Sequence, residues 1–288
     1  MSKPTWNGMT AKLAAEKMEV YFDGTFTSPQ LNHPEGLAFD NKGDIWCGGE
    51  KGEIFRICDN GGKIEQIACT DGFILGLAFD KSGFLYACDL KHSSVFKINP
   101  SNGEVTLFAD GDGKERKMAI PNAIAVDDEN NYLYITDSHD SNKPGPGIWR
   151  FNLESGKGEM WFSQNLSFAN GIALDSQNSC LYVAETFGKK ISRILISEKG
   201  EPGEKETVVE MDALPDGLWI GHDGKLYISC YEPSLIYCWS NDTGLELLCY
   251  DTTAHTLCHP TNCVLRGTDL YTSNLGRWHI TRIKDVTG

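Results

Sequence analysis

Four polar residues able to bind a metal occupy one position of a repeated strand pattern. The pattern pairs an apolar strand with a second strand that opens with an apolar residue followed by Trp or Tyr, and it recurs six times. Asp and Asn are disfavoured in strands, so their recurrence at one register indicates a function. At the start of the first strand, with spacings of 40, 47, 48, 46 and 45 residues, the six copies carry Glu35, Leu75, Asn122, Asn170, Asp216 and Thr261.

The chemistry of Glu35, Asn122, Asn170 and Asp216 is that of hard oxygen ligands. Two carboxylates and two amide carbonyls suit Ca²⁺, which accepts such groups together with water in a flexible geometry. Structural zinc prefers thiolate and imidazole ligands. The alternative is that each residue caps a strand end. We expect one bound divalent cation, Ca²⁺ first, with Zn²⁺, Mg²⁺ and Mn²⁺ remaining open.

A second polar register lies at the ends of the second strands, where three consecutive copies carry Asp89, Asp137 and Glu185. These acids are expected to bind the substrate together with Asn122. Two other roles stay open: they orient the metal ligands, or they accept hydrogen bonds from loop amides.

The repeats predict an all-β fold, a six-bladed β-propeller, because strand-rich repeats of 40 to 50 residues are typical of propeller blades. The aromatic residues that open the second strands are expected to pack between blades. Residues 18–24 resemble residues 105–111, the last strand of the second copy, so the N-terminal strand is expected to close the last blade. We expect a single domain over 1–288, with blades at about 34–72, 75–111, 121–164, 169–212, 215–252 and 260–285.

Charge and composition limit the kinds of partner that the protein is expected to have. A formal net charge of −14 argues against nucleic acid. No stretch approaches 18 apolar residues, which argues against a membrane span. The ten cysteines form no Cys-x-x-Cys pair and lie mainly in strand patterns, and the first residues have no apolar secretory region. We therefore expect reduced thiols and a cytoplasmic location.

Short motifs resemble the senescence marker protein, gluconolactonase and luciferin-regenerating enzyme family. They are His33-Pro34-Glu35-Gly36, Ala169-Asn170-Gly171, Val183-Ala184-Glu185-Thr186, Leu214-Pro215-Asp216-Gly217 and His259-Pro260-Thr261-Asn262. The resemblance implies a catalytic divalent cation held by Glu35, Asn170 and Asp216, with Asn122 binding metal or substrate. The chain departs from the family at Ile120, where sugar-lactone members often have Arg, and at Ala123, where many members have Asp.

The family's usual activity implies a metal-dependent hydrolase that opens small sugar lactones, a gluconolactonase-like carboxylic ester hydrolase. The metal would polarise the carbonyl, and Asp216 is expected to act as general base or nucleophile. One alternative is a phosphotriester (organophosphate) hydrolase with the same metal site. Another is strictosidine-synthase-like chemistry or a non-catalytic binding propeller. The acids at the second register favour neutral, hydroxyl-rich lactones.

Overall fold

Six four-stranded antiparallel sheets are arranged as the blades of a propeller in the computed structural model, which describes residues 3–58 and 61–287. The first strands of successive blades contact one another, and the first strand of blade six contacts that of blade one, so the ring closes around a central channel. The expected all-β, six-bladed fold is confirmed.

The first three blades follow one another along the chain. Blade one contains β4 (Leu37–Phe39), β5 (Ile45–Gly48), β6 (Glu53–Cys58) and β7 (Lys63–Cys69). Blade two contains β8 (Ile74–Phe79), β9 (Leu85–Asp89), β10 (Ser94–Ile98) and β11 (Val105–Ala109). Blade three contains β12 (Pro121–Asp127), β13 (Tyr132–Asp137), β14 (Gly145–Asn152) and β15 (Gly158–Leu166).

The last three blades complete the ring. Blade four contains β16 (Ala169–Asp175), β17 (Cys180–Glu185), β18 (Lys190–Ile196) and β19 (Pro202–Glu210). Blade five contains β20 (Leu214–Ile220), β21 (Leu226–Glu232), β22 (Leu235–Ser240) and β23 (Gly244–Tyr250). Blade six contains β24 (Pro260–Arg266), β25 (Asp269–Asn274), β26 (His279–Ile283) and β3 (Met18–Asp23).

The N-terminal segment closes blade six, as expected from its similarity to an outer strand. β3 pairs antiparallel with β26, from Met18 opposite Ile283 to Asp23 opposite His279. A short hairpin precedes it, made of β1 (Thr5–Trp6) and β2 (Met9–Thr10), and one 3₁₀ turn follows at Ala15–Lys17. Tying both ends of the chain into one sheet leaves no gap in the ring.

The N-terminal hairpin also protects the outer edge of blade five. The backbone N–H groups of Lys12 and Leu13 donate to the carbonyls of Leu247 and Leu248 on β23. The Trp6 ring packs edge-on against Tyr250, with 5.7 Å between ring centroids. An unpaired strand edge invites pairing with other chains, and this segment covers part of that edge.

The core lies between neighbouring blades. Trp46 packs edge-on against Phe79 of the next blade, and Tyr182 packs in the same way against Trp239. Tyr271 contacts Phe39 across the closure. The aromatic residues of the second strands therefore join adjacent sheets, as their pattern predicted. All ten cysteines fall within the described residues, each is a free thiol, and most are buried.

Candidate active site

The four polar residues of the first register converge at one end of the channel. Glu35, Asn122, Asn170 and Asp216 line a recess of about 10 Å³, together with the residues beside them. A volume of this size holds one water molecule or one ion. Leu75 and Thr261 complete the ring from the remaining two blades. The repeat register therefore brings together side chains far apart in the sequence.

Irregular pairing positions these side chains. The antiparallel register of β12 with β13 shifts between Pro121 and Ile124, and that of β16 with β17 shifts between Ala169 and Ile172. Blade five has the same irregularity between Pro215 and Leu218. Such bulges re-aim side chains and are frequent beside functional sites. Asn122, Asn170 and Asp216 each lie inside one of them.

Glycines beside the ring allow the inner strands to approach the axis closely. A Cβ atom on Gly171 would lie 2.2 Å from the carbonyl oxygen of Asp216, and one on Gly36 would lie 2.4 Å from that of Leu75. No real side chain tolerates such a contact, so only glycine permits this spacing of neighbouring blades. The Glu35-Gly36 and Asn170-Gly171 dipeptides thus bring Glu35 and Asn170 against the next blade.

Two hydroxyls orient the amides of Asn122 and Asn170. The Asn122 Nδ2 donates to Ser138 Oγ at 3.0 Å, and Ser138 in turn donates to the carbonyl of Ala169 at 2.7 Å. In blade four, Asn170 Nδ2 donates to Thr186 Oγ1 at 3.2 Å, and Thr186 donates to the carbonyl of Pro215 at 2.7 Å.

Each hydroxyl proton is therefore already donated to a carbonyl, so each hydroxyl oxygen has to accept from an amide NH₂. This hydrogen-bond pattern assigns the nitrogen of both amides and leaves their oxygens as the atoms available to a cation. Ser138 and Thr186 occupy equivalent positions, one residue after the end of the second strand. Reasoning from the sequence missed them. The signal was present, because a hydroxyl residue follows the strand-ending acid in both blades that supply an Asn.

A second set of hydroxyls holds the backbone of the ring across blades. Thr136 donates to the carbonyl of Asn170 at 2.6 Å, and Ser273 donates to the carbonyl of Glu35 at 2.6 Å. Thr261 also donates to the Glu35 carbonyl, at 3.0 Å. These hydrogen bonds join the backbone of Asn170 and of Glu35 to the neighbouring sheet.

The two carboxylates of the recess lie in an environment that disfavours their charges. Burial raises the pKa of Glu35 to about 7, and a hydrogen bond from Thr261 only partly opposes this. Burial and the nearby charge of Glu35 raise the pKa of Asp216 well above its usual range, against a hydrogen bond from Asn170. Two like charges forced together in a desolvated recess favour a cation between them.

The donor set therefore fits a hard divalent cation. It consists of two carboxylates and two amides whose oxygens are available, around a recess of ionic size. Among residues 3–58 and 61–287, no group of three or more His, Cys, Asp and Glu side chains has metal-binding geometry. The candidate site thus depends on amide oxygens, which are ligands of Ca²⁺ and not of structural zinc.

The structure shows which groups Asp89, Asp137 and Glu185 contact at the second register. All three are buried, and their carboxylates are directed into local hydrogen bonds instead of a substrate wall. Asp137 accepts from the N–H groups of Ala119, Ile120 and His139 and from Trp149 Nε1, at 2.8 to 3.1 Å.

Asp89 and Glu185 are bonded in the same manner. Asp89 accepts from Thr70 Oγ1 and from the N–H groups of Phe73 and His92. Glu185 accepts from Ser167 N, Ser192 Oγ and Lys205 Nζ. The alternative that they bind loop amides is the one found. Each fixes the loop that leads into the first strand of its blade, and so acts on the recess indirectly.

Lys117 does not replace the Arg absent at Ile120, because its ammonium group pairs with Asp110. The wider part of the channel, on the far side of the recess, has a volume of about 520 Å³ and is lined mainly by apolar residues of the first strands. The recess is thus the polar end of an otherwise apolar channel.

Comparison with known proteins agrees with this architecture. The sequence model of the SMP-30/Gluconolactonase/LRE-like region matches residues 70–273. The chain belongs to this family. Its fold is that of XC5397 from Xanthomonas campestris, described as a gluconolactonase. The two share 16% sequence identity with a TM-score of 0.78, over 98% of this chain and 96% of the other.

Relatives with other names also match. Adipocyte plasma membrane-associated protein from Salmo salar is 26% identical over 231 residues, 69% of this chain and 54% of the relative. Protein STRICTOSIDINE SYNTHASE-LIKE 1 from Arabidopsis thaliana is 28% identical over 175 residues, 60% of this chain and 34% of the relative. The chain thus spans about half, or less, of these curated relatives. No helix among the described residues is long and apolar enough to cross a membrane.

Proposed function

We propose that this family member is a lactone hydrolase that binds one divalent cation, Ca²⁺ first, through Glu35, Asn122, Asn170 and Asp216. The observation that carries the proposal is the convergence of these four side chains on one recess of ionic size at the mouth of the channel. Membership of the SMP-30/Gluconolactonase/LRE-like family supports a lactonase-type reaction.

A cation bound by this set would draw electron density from a substrate carbonyl and so lower the cost of the negative charge that develops on its oxygen. Neighbouring side chains would hold these ligands in position. Ser138 and Thr186 hold the two amides in the orientation that presents oxygen, and the Thr136 and Ser273 hydroxyls hold the backbone of Asn170 and Glu35. The site is therefore preorganised by hydrogen bonds between blades.

Asp216 is the proposed proton acceptor or nucleophile. Its carboxylate lines the recess together with that of Glu35. A bound cation would keep this carboxylate ionised, so that it could accept a proton from water or attack the substrate directly. Asn122 has a donor and an acceptor on one group, so it can hold either the cation or the substrate.

The test is hydrolysis of a panel of lactones, followed with a pH indicator after chelator treatment and again after Ca²⁺, Mg²⁺, Mn²⁺ or Zn²⁺ is restored. We expect activity that is lost with chelator, is restored by a divalent cation, and falls at least a hundredfold in Asp216→Asn. Glu115→Gln, on an exposed loop, is the matched control and should keep full activity. Activity that survives chelation, or an unaffected Asp216→Asn, would contradict the proposal.

The same substrate panel also tests two other functions. Phosphotriesters tested beside lactones reveal an organophosphate hydrolase with the same donor set. The similarity to STRICTOSIDINE SYNTHASE-LIKE 1 favours a second candidate, a propeller with other chemistry or with binding alone. A protein that neither binds a divalent cation nor hydrolyses any ester of the panel belongs to that candidate.

A further inference from the structure

A set of partly exposed residues forms a rim immediately outside the recess. In four blades the residue two positions before the axial one accepts a backbone hydrogen bond from the residue that follows the second strand. The pairs are Phe73 with Leu90, Ile120 with Ser138, Phe168 with Thr186, and His259 with Leu275, at 2.8 to 3.2 Å. These bonds extend each strand pair beyond the recess, so the rim is the surface that a substrate on the cation would contact.

One side of the rim is apolar. Phe73, Leu90 and Ile120, from blades two and three, pack against one buried cluster that includes Leu75 of the recess. In blade four, Phe168 packs against Phe187 with 4.8 Å between ring centroids, and Phe187 is 52% exposed. We name these five residues the apolar arc. Phe187 is exposed and the other four are partly exposed. Aromatic and aliphatic groups that remain accessible beside a candidate site favour a surface that is covered by a ligand.

Backbone geometry supports a functional reading of the rim. Phe168 has a φ of 62°, and His33 and His259, at the same register, have φ values of 46° and 51°. Bulky residues rarely adopt this left-handed conformation, which costs roughly 1–2 kcal/mol per residue. Its recurrence at one register in three blades marks a repeated turn that places rings on the rim at an energetic cost.

The opposite side of the rim is polar. The Tyr231 ring packs on His259 with 4.7 Å between centroids, and His259 Nδ1 lies 3.2 Å from the Glu232 carboxylate. In blade one, His33 Nδ1 lies 3.9 Å from Glu50 Oε2. The rim is therefore divided, with apolar groups over blades two to four and polar groups over blades five, six and one.

We propose that the apolar arc binds an apolar substituent of the substrate, so that the preferred lactones carry an alkyl or aryl side chain and not several hydroxyls. This inference rests on the proposed lactone hydrolysis. Each methylene group that leaves water for such a surface strengthens binding about fourfold. A hydroxyl placed there loses its hydrogen bonds to water without replacement. The acids expected to bind hydroxyls, Asp89, Asp137 and Glu185, are buried and already bonded.

The experiment compares three δ-lactones with the Ca²⁺-loaded protein: δ-valerolactone, δ-decalactone and glucono-δ-lactone. We expect kcat/KM for δ-decalactone to exceed those for the other two by at least tenfold. Glucono-δ-lactone as the best substrate would overturn the inference, and so would equal rates for the alkylated and unsubstituted lactones.

Variants test whether the apolar arc causes the preference for δ-decalactone. Ile120→Ser should lower kcat/KM for δ-decalactone about tenfold while leaving δ-valerolactone within about twofold. Phe187→Ser, at a more exposed position, should act in the same direction and keeps the test valid if Ile120→Ser folds poorly. Leu107→Ser, at an exposed apolar position on the outer strand β11, is the matched control and should change neither rate. Loss of both substrates in equal proportion would contradict the inference.

Failure of the inference and failure of the proposed function give different results. Cation-dependent hydrolysis of δ-valerolactone supports the function whatever the order of the three lactones. If no lactone reacts, the function is wrong, and calorimetric binding of 5-hydroxydecanoate and gluconate to the Ca²⁺-loaded protein decides the inference. We expect 5-hydroxydecanoate to bind at least tenfold more tightly, and tighter gluconate binding, or no binding of either acid, would refute the apolar arc.

Discussion

The substitution Glu35→Gln should stabilise the cation-free protein and destabilise the cation-bound protein, each relative to wild type. In the cation-free protein, burial raises the pKa of Glu35 to about 7. The amide of Gln keeps the shape of the side chain and removes the buried negative charge. Without cation, Glu35→Gln should therefore be more stable than wild type at neutral pH, although it removes a proposed ligand.

The size and pH dependence of this effect follow from linkage. An acid whose pKa is raised in the folded state contributes stability below its unfolded pKa, and that contribution is lost as pH rises through the folded pKa. For Glu35 the loss falls between pH 4.5 and about 7. The full shift corresponds to about 3 kcal/mol. The Glu35 side chain is partly exposed, so solvent screening reduces the expected gain to about 1–2 kcal/mol.

Cation binding should stabilise the wild-type protein more than it stabilises Glu35→Gln. At a cation concentration a hundred times Kd, the wild-type protein gains about 2.7 kcal/mol. This corresponds to a rise in Tm of roughly 5 °C for a chain of this size. Glu35→Gln should lose most of this gain. The variant should thus be the more stable protein in chelator and the less stable one in Ca²⁺.

The assay is urea and thermal unfolding followed by circular dichroism at pH 5.0 and 7.5, in chelator and in excess Ca²⁺. Glu115→Gln, on an exposed loop, serves as control and should follow wild type under all four conditions. At pH 5.0 in chelator, wild type and Glu35→Gln should be nearly equal. A Glu35→Gln protein that is less stable than wild type in chelator at pH 7.5, or that keeps the full response to Ca²⁺, would refute the reasoning.

Three further predictions concern the surroundings of the recess. Ser138→Ala removes the hydroxyl that orients Asn122 and should weaken Ca²⁺ binding 10- to 100-fold by calorimetry; unchanged affinity would show that the hydroxyl does not orient the amide. Asp137→Ala leaves buried N–H groups without an acceptor and should lower the free energy of unfolding in urea by about 2 kcal/mol or more; retained stability with a raised KM would instead support a role of Asp137 in substrate binding. Deleting residues 1–24 removes β3 and should lower the Tm of the whole propeller, and two separate thermal transitions in place of one would contradict closure by this strand.

The sequence predicted the ring because the repeats show both the fold and its register. Glu35, Asn170 and Asp216 are far apart in the chain, but equivalent positions in propeller blades surround one axis, so their meeting followed from spacing alone. The closing strand was predictable for a similar reason, since Met18–Asp23 has the residue pattern of an outer strand that blade six lacks.

The orientation of the second polar register was not predictable, because a carboxylate at a strand end serves equally as a ligand or as an acceptor for loop amides. Asp137 and Glu185 point away from the recess since loop N–H groups converge on them. Asn274, at the same register in blade six, is buried as well and accepts from Cys258 N at 2.7 Å. An uncharged residue accepting the same kind of hydrogen bond indicates that this register holds the loops in place.

The bulges of the inner strands were also beyond prediction, although an Asn-Gly dipeptide marks the one at Asn170 and an Asp-Gly dipeptide the one at Asp216. A regular strand would alternate its side chains between two faces. The shifts at Asn122, Asn170 and Asp216 instead direct these residues into the recess from three blades. The rim was overlooked because its residues are unrelated in type and become equivalent only through their backbone hydrogen bonds.

The most direct test of the account is the metal content of active protein together with its dependence on the four side chains. Protein purified without chelator, dialysed and analysed by elemental mass spectrometry should contain about one divalent cation per chain, and lactone hydrolysis should rise and fall with that content. Glu35→Gln and Asp216→Asn should lose both metal and activity while keeping the circular dichroism of the folded propeller. Active protein without a stoichiometric divalent cation would contradict the account.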